Sequence, residues 1–179
     1  MESAYLNELF DRMRQGDRLA LDKLYGHCYH RLCDFACQIV KSPDLAEEVV
    51  SDVFLLLWQK RESLTIQTTL RAYLYSMVRN QALLYVRKEN IYQPLADEFE
   101  NTQAEYYNPL EALLFHELDF HIDSLINQLP EPDRLILRLK LSGLKYAEIA
   151  QAMELSEKTI EYRLSKSIDF LRKTYQKSK

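Results

Sequence analysis

Glycine is scarce in this sequence, and the scarcity limits the folds that the chain can adopt. Only three of the 179 residues are glycine, namely Gly16, Gly26 and Gly143, whereas average usage would give about 12. Sandwiches, barrels and glycine-rich phosphate loops need many positions at positive φ, which glycine adopts at the lowest cost. No G-x-G-x-x-G or G-x-x-x-x-G-K motif occurs. These features favour a helical protein and argue against a nucleotide-binding enzyme.

Apolar residues recur at helical spacing through the first half of the chain. The pattern predicts two helices within residues 4–40, one over 44–61 and one over 70–88. Gly16 separates the first two helices, and Pro43 fits the first turn of the third. The first half therefore predicts a small bundle of four helices.

The next segment, residues 89–116, has a different composition. It contains six acidic residues and neither lysine nor arginine, and its helical periodicity is weak. Such a composition is typical of a linker with little intrinsic order. Beyond it, the pattern predicts short helices over 111–128, 132–142, 146–153 and 157–176.

The predicted fold class is therefore all-α, with two small helical domains joined by an acidic linker. No window shows the period-two alternation of a strand. We assign residues 1–90 to the first domain, 91–110 to the linker and 111–179 to the second domain.

The overall net charge of −4 conceals a basic–acidic–basic layout. Residues 1–88 hold 12 basic and 11 acidic residues. Residues 89–116 hold no basic and six acidic residues, and residues 117–179 hold 11 basic and 10 acidic residues. Within the two domains, Arg61–Lys88 has five basic residues against one acidic, and Ser156–Lys179 has seven against three. The acidic pI therefore belongs to the linker and does not exclude a nucleic-acid partner.

Residues 145–166 have the pattern of a helix-turn-helix. Ile149 and Met153 would face inward on the first helix, and Ile160 and Leu164 on the second. In such motifs the second helix enters the major groove of DNA. The alternative is a helical hairpin with a solvated charged face. The candidate DNA contacts are the N-cap residue Ser156 and the outward side chains of Lys158, Thr159, Tyr162, Arg163 and Lys166.

The turn of this motif contains a departure from the usual pattern. Glu154 stands where such turns usually have glycine. A residue with a side chain at positive φ costs on the order of 1 kcal/mol there. This departure counts against the DNA-binding interpretation.

Two helices of the first domain carry segregated charge. The helix that begins at Asp44 combines an acidic face with an apolar one, which either complements the helix dipole or docks a basic partner. The segment Leu70–Lys88 interleaves basic and aromatic side chains, as single-stranded nucleic acid requires for phosphate neutralisation and base stacking. The alternative is that Tyr73 and Tyr75 are core tyrosines, and we expect this of at least one of them.

Both halves resemble an extracytoplasmic-function (ECF) sigma factor, of the sigma-70 family of bacterial RNA polymerase. Asp44–Trp58 is similar to the helix of region 2 that grips the polymerase β′ coiled coil. Leu70–Lys88 is similar to the region-2 segment that contacts promoter DNA, although Tyr73 replaces a common tryptophan and Leu84 an often acidic residue. Leu129–Lys173 resembles region 4.

The resemblance implies a transcription initiation factor without catalytic residues or cofactors. Region 2 would bind core polymerase and the −10 element, with the loop Ser63–Thr69 holding a flipped base, and region 4 would dock on the β flap and read the −35 element. The implied core-polymerase contacts are Asp44, Glu47, Glu48, Ser51, Asp52, Phe54 and Trp58. The implied −10 contacts are Arg71, Tyr73, Tyr75, Arg79, Asn80, Arg87 and Lys88, and the −35 contacts are the helix-turn-helix residues named above.

The resemblance also implies partners beyond polymerase and promoter DNA. The final helix is similar to the branch of the family that a membrane anti-sigma factor controls, so an anti-sigma factor is an expected partner. The sequence has neither a signal peptide nor an apolar run of the roughly 18 residues that span a bilayer. We therefore expect a cytoplasmic protein with no stable membrane insertion.

Four alternatives remain beside this interpretation, of which a pure interaction protein is disfavoured by the basic face of the helix-turn-helix. A stand-alone helix-turn-helix transcriptional regulator would share the second domain, but it would not need an acidic helix followed by a basic-aromatic one. An enzyme is disfavoured because no nucleophile–base pair or carboxylate dyad stands out. The cysteine and histidine cluster offers only three metal ligands on one helical face, so core cysteines are favoured over a zinc site; its members are His27, Cys28, His30, Cys33 and Cys37.

Overall fold

The computed structural model describes residues 2–66, 68–92 and 123–177, and every regular element in these ranges is an α-helix. A short helical stretch over 123–127 precedes the second domain's three full helices. The predicted linker lies outside the described residues except for its first two positions. The helices are α1 Glu2–Arg14, α2 Arg18–Val40, α3 Pro43–Lys60, α4 Leu70–Tyr92, α5 Glu131–Leu141, α6 Tyr146–Met153 and α7 Glu157–Lys177.

The predicted helix boundaries are confirmed where the chain carries capping residues. Gly16, at φ +92°, separates α1 from α2. The carboxylate of Asp17 then accepts a hydrogen bond from the backbone N–H of Ala20 at 3.2 Å and caps α2. Ser42 caps α3, with Pro43 in its first turn. Helix α4 continues four residues beyond the predicted end at residue 88.

Helix α2 is the centre of the first domain, because it packs against α1, α3 and α4. Buried apolar residues recur along α2 every three to four positions, as the sequence pattern predicts. Each leucine fully removed from water in such a core contributes about 1.5–3 kcal/mol. The large side chains with at most 1% exposure in this domain are Leu9, Met13, Leu24, Val49, Val50, Val53, Leu57, Leu74 and Val78.

The second domain is a smaller cluster of α5, α6 and α7. Ile136, Ile149 and Ile160 contribute one fully buried side chain from each helix. Gly143, at φ +84°, lies just past the end of α5, as predicted, and allows the chain to turn into α6. The predicted helix-turn-helix is therefore confirmed, with α6 and α7 as its two helices.

The two domains pack against each other through α4 and α6, with a smaller contact between α2 and α5. Their buried apolar side chains form one continuous cluster. Within the described ranges, no helix is both long and apolar enough to cross a membrane. The contact between the domains is a feature that helical periodicity does not predict.

Candidate polymerase and nucleic-acid interfaces

The outward face of α3 carries a row of acidic and polar side chains. Asp44, Glu47, Glu48 and Ser51 are all exposed, and their spacing places them on one side of the helix. Leu55 continues this row one turn further and is 55% exposed. The sequence interpretation missed Leu55, although its position four residues after Ser51 was a usable signal. The row offers a negatively charged docking surface with an apolar end.

Asp52 does not belong to this row, because its carboxylate faces α4. One carboxylate oxygen accepts hydrogen bonds from Gln81 Nε2 at 3.1 Å and from the Tyr85 hydroxyl at 2.9 Å. Burial raises the pKa of Tyr85, and its hydrogen bonds to Asp52 and Glu48 raise that pKa further. Asp52 therefore ties α3 to α4 rather than facing a partner.

Phe54 is a correction to the predicted polymerase contacts. Its side chain is 4% exposed and packs edge-to-face on Tyr25 with the ring centres 4.9 Å apart. A ring this deep in the first domain's core stabilises the fold and presents no surface to a partner. Trp58 is half-buried, and the Arg61 guanidinium lies 4.4 Å from the centre of its ring.

Tyr75 is a correction to the predicted −10 contacts. Its side chain is 3% exposed and packs edge-to-face on Phe35 of α2, with the ring centres 5.1 Å apart. The alternative interpretation, a core tyrosine, is therefore confirmed for this residue. Tyr73 is half-buried, and burial raises its pKa.

Three of the other predicted −10 residues contact the second domain. The Arg79 guanidinium lies 3.6 Å from the Glu154 carboxylate, and Asn80 Nδ2 donates to the same carboxylate at 3.1 Å. Arg71 donates to the backbone carbonyl of Ser142. Protein acceptors thus occupy polar groups that the sequence interpretation assigned to nucleic acid.

The far end of α4 is open by contrast. Arg87 and Lys88 are both exposed. The Lys88 ammonium lies 5.7 Å from the centre of the Tyr85 ring. The basic face of α4 is therefore divided into a covered N-terminal part and an exposed C-terminal part.

The loop before α4 joins the same contact. The Thr69 hydroxyl accepts from the backbone N–H of Ala72 at 3.2 Å, which caps α4, and donates to the Glu148 carboxylate at 2.7 Å. Glu148 also accepts from the backbone N–H of Lys145 at 2.8 Å, at the start of α6. One carboxylate thus connects the N-terminal ends of two helices from different domains. Within the loop, residue 67 lies outside the described part.

Helix α7 presents three of its predicted −35 residues to solvent on its outer face. Lys158, Tyr162 and Lys166 are exposed. The Lys166 ammonium lies 4.9 Å from the centre of the Tyr162 ring, and the Tyr162 hydroxyl raises its pKa. This face is a cationic surface that also carries an aromatic ring.

The remaining predicted −35 residues are held within the second domain. The Ser156 hydroxyl accepts from the backbone N–H of Thr159 at 3.1 Å, so Ser156 is confirmed as the N-cap of α7. Arg163 pairs with Asp133 of α5 at 2.7 Å. The turn between α6 and α7 has Glu154 at φ +57°, which confirms the strained position predicted there.

The cysteine and histidine cluster lies on α2. Cys28 is buried, and Cys33 and Cys37 are half-buried against the first domain's core. Burial raises the pKa of Cys33 to about 11 and also raises that of Cys37, so both thiols stay protonated near neutral pH. Among the described residues, no group of three or more metal-ligating side chains is placed to hold an ion.

Comparison with known proteins connects these surfaces to one family. Residues 24–91 match the family described as Sigma-70 region 2, and residues 120–171 match the family described as Sigma-70, region 4. The RNA polymerase sigma-H factor of Pseudomonas aeruginosa is 23% identical, with 94% of this chain and 93% of that protein covered. The ECF RNA polymerase sigma-E factor of Haemophilus influenzae is 24% identical, with 94% of each covered.

Solved structures share the fold. The chain is similar to CnrH in complex with the cytosolic domain of CnrY, with a TM-score of 0.69 at 17% identity over 98% of this chain and 99% of that one. It is also similar to the sigma factor RpoE of Bartonella quintana in complex with the anti-sigma factor NepR, with a TM-score of 0.65 at 21% identity over 87% of this chain and 96% of that one. The region-2 and region-4 matches together span most of the chain, in the expected order, and the chain belongs to the sigma-70 family as a transcription initiation factor of the ECF type.

Proposed function

We propose that the exposed acidic row on α3 is the surface by which this sigma factor binds core RNA polymerase, at the β′ coiled coil. The row combines Asp44, Glu47, Glu48 and Ser51 with the apolar Leu55. A basic partner helix would pair with the carboxylates and cover the leucine. Asp52 and Phe54 act on this surface only by supporting it from within the domain.

We also propose that the two basic helices bind promoter DNA at separate elements. In this assignment, α4 contacts the −10 element through Arg71, Arg79 and Asn80, with Arg87 and Lys88 further along the helix. Helix α7 reads the −35 element in the major groove, and the second domain docks on the β flap. Residues 1–90 act as region 2, 91–110 as the connector and 111–179 as region 4.

The observation that carries the proposal is the segregation of charge between neighbouring helices of one domain. Acidic side chains face outward from α3, and basic ones line α4 beside it. A stand-alone regulator needs a DNA surface but no such acidic row. The segregation therefore supports a factor that holds polymerase and DNA at once, and we assign it no catalytic step.

We further propose regulation by an anti-sigma factor, and action in the cytoplasm, where core polymerase meets promoter DNA. The support is the similarity to CnrH, solved in complex with the cytosolic domain of CnrY, and to RpoE, solved in complex with the anti-sigma factor NepR. Because those likenesses are below 25% identity, they identify the fold, and the partner itself is to be found by copurification.

The decisive experiment is transcription in vitro with core RNA polymerase and a promoter library. We expect transcription from a specific subset of promoters only when the protein is added, and copurification with core enzyme. Tight binding of the isolated chain to promoter DNA without polymerase association would instead establish the stand-alone regulator.

Charge reversal on two helices tests the acidic row. We expect Asp44→Lys/Glu47→Lys to weaken binding to core polymerase at least about tenfold, because two attractive contacts become repulsive. The matched control, Glu8→Lys/Asp11→Lys, reverses two exposed charges on α1 and should bind like the wild type. An equal loss of polymerase binding in both double variants would contradict the assignment of the acidic row on α3 as the polymerase-binding surface.

A further inference from the structure

We propose that the cleft between α2 and α5 binds a small phosphate monoester, with Arg31 and Arg138 as the residues that hold its phosphate. The lining of this cleft comes from α2, α4 and α5, so the site is distinct from the acidic row on α3 and from the exposed face of α7. The proposal does not depend on the roles assigned to those two surfaces. It gives this sigma factor a small-molecule ligand in addition to its macromolecular partners.

The cleft is small and has a buried apolar lining. Its volume is about 250 Å³. Three of its lining residues are almost fully buried, since Phe35 is 4%, Tyr75 3% and Leu139 1% exposed. Pockets for drug-sized ligands measure about 300–1,000 Å³ and often lie where two domains meet. The size and the position of the cleft therefore fit a ligand smaller than a drug molecule.

Cationic side chains contribute to the lining from two helices. Arg31 is exposed on α2, and Arg138 is half-buried on α5. Burial raises the pKa of Tyr75 in the same cleft, whereas the charge of Arg71, a hydrogen bond with Ser142 and the charge of Arg31 lower it. Positive charge thus acts on a hydroxyl inside the cleft. Next to a buried apolar lining, such charge attracts an anion more strongly than it would in open water.

The guanidinium of Arg138 has hydrogen-bonding capacity that the protein does not use. One Nη atom donates to Asn127 Oδ1 at 3.3 Å and lies 3.4 Å from the Asp123 carboxylate. Its Nε is buried and has no acceptor within the described part of the chain. A buried donor without an acceptor is costly. A phosphate in the cleft would supply acceptor oxygens, which a planar guanidinium can bind in pairs.

The remaining lining residues narrow the class of ligand. Asp34 adds one carboxylate against the two guanidiniums, so a phosphate dianion compensates the arginines better than a carboxylate with a single charge. Asp34 itself would repel the phosphate. Leu141 also lines the cleft and is 67% exposed. Its apolar surface can cover the organic part of an ester, which inorganic phosphate lacks.

Isothermal titration calorimetry on the full chain tests the site, with phenyl phosphate as the probe at constant ionic strength. We expect phenyl phosphate to bind at least about tenfold more tightly than inorganic phosphate or benzyl alcohol, because only the ester offers both a charged contact and an apolar one. Equal binding of phenyl phosphate and benzyl alcohol would contradict a phosphate site. An absence of binding at millimolar phenyl phosphate would overturn the proposal outright.

Variants of opposite expected sign locate the site. Arg31→Gln and Arg138→Lys should each weaken phenyl phosphate binding about tenfold, because each loses charged hydrogen bonds to the phosphate. Asp34→Asn should strengthen it, because a repulsive charge is removed. Arg14→Gln, which removes a charge from an exposed position of α1, is the matched control and should bind like the wild type.

Arg138→Lys keeps the positive charge, and urea denaturation without the probe shows whether each variant is folded. Wild-type affinity in both arginine variants would place the phosphate elsewhere and reject the assignment. Weaker binding in Asp34→Asn would contradict the proposed charge balance of the cleft. If a single-stranded oligonucleotide displaced phenyl phosphate at a lower concentration than the ester itself requires, the two arginines would belong to a nucleic-acid surface instead.

Discussion

Helices α4 and α7 are both long, amphipathic and basic, but their cationic side chains have different surroundings in the structure. On α4, Arg71 and Arg79 have acceptors from the other domain. On α7, Lys158 and Lys166 face solvent. The difference shows that a basic helical pattern in the sequence does not tell which of its cations other parts of the folded chain cover.

The tyrosines of the two helices differ in the same way, and replacing them has the largest expected effect. Tyr75 is 3% exposed and Tyr162 is 59% exposed. We expect Tyr75→Ala to lower the free energy of unfolding by about 3–5 kcal/mol, because it leaves a cavity beside Phe35. We expect Tyr162→Ala to change it by less than about 0.5 kcal/mol while weakening DNA binding. Urea denaturation measures the first quantity and anisotropy the second.

Tyr75→Phe is the control for this comparison, since it keeps the ring packed on Phe35 and should remain close to wild-type stability. The comparison between the helices would break if Tyr75→Ala left the free energy of unfolding unchanged but abolished binding of single-stranded DNA. That result would return Tyr75 to the base-stacking role.

The hydrogen bond between α3 and α4 has the next largest expected effect. We expect Tyr85→Phe to lower the free energy of unfolding by about 1.5 kcal/mol, because Asp52 loses a charged hydrogen bond. The pKa of Tyr85 is raised in the folded state. Above about pH 10 the unfolded tyrosine therefore loses its proton while the folded one keeps it, and stability falls as pH rises.

Urea denaturation at pH 8 and above pH 10 measures both effects. Tyr85→Phe should show less loss of stability on alkalinisation than the wild type. Tyr146→Phe, at a more exposed tyrosine of α6, is the control, and its free energy of unfolding should fall with rising pH as steeply as that of the wild type. If the free energy of unfolding of Tyr85→Phe fell equally steeply, another group would be responsible for the loss of stability at alkaline pH.

The smallest expected effects distinguish two cations of α7. Arg163 is paired with Asp133 at 2.7 Å, with side-chain exposures of 36% and 20%. We expect Arg163→Ala to lower the free energy of unfolding by at most about 1 kcal/mol and also to weaken −35 DNA binding. Lys158→Ala should leave stability unchanged and reduce the salt slope of DNA binding by about 1.

Denaturation and salt-dependent anisotropy measure this pair of variants, and association with core polymerase serves as the control. Both variants should retain that association. Loss of DNA and polymerase binding to the same extent would indicate unfolding and would remove the distinction between a structural and a DNA-facing cation.

The sequence interpretation succeeded where local chemistry decides the outcome. Gly16 and Gly143 end helices at positive φ, and Ser156 caps α7 through its hydroxyl. It placed Phe54 among surface contacts although the structure buries it, and of its two interpretations of Tyr75 the core tyrosine is the one that the structure supports. Helical spacing marks a side of a helix, but only the packing of neighbouring helices tells how deeply an aromatic ring at its edge is buried.

The sequence by itself determined the helices, their caps, the helix-turn-helix and the segregation of charge, because periodicity and capping act within a few residues of the chain. Only the tertiary structure decided which charged groups are free. Asp52 bonds residues 29 and 33 positions away, and Glu154 contacts Asn80 at a separation of 74. Such long-range pairs depend on how whole helices pack, which no local pattern specifies.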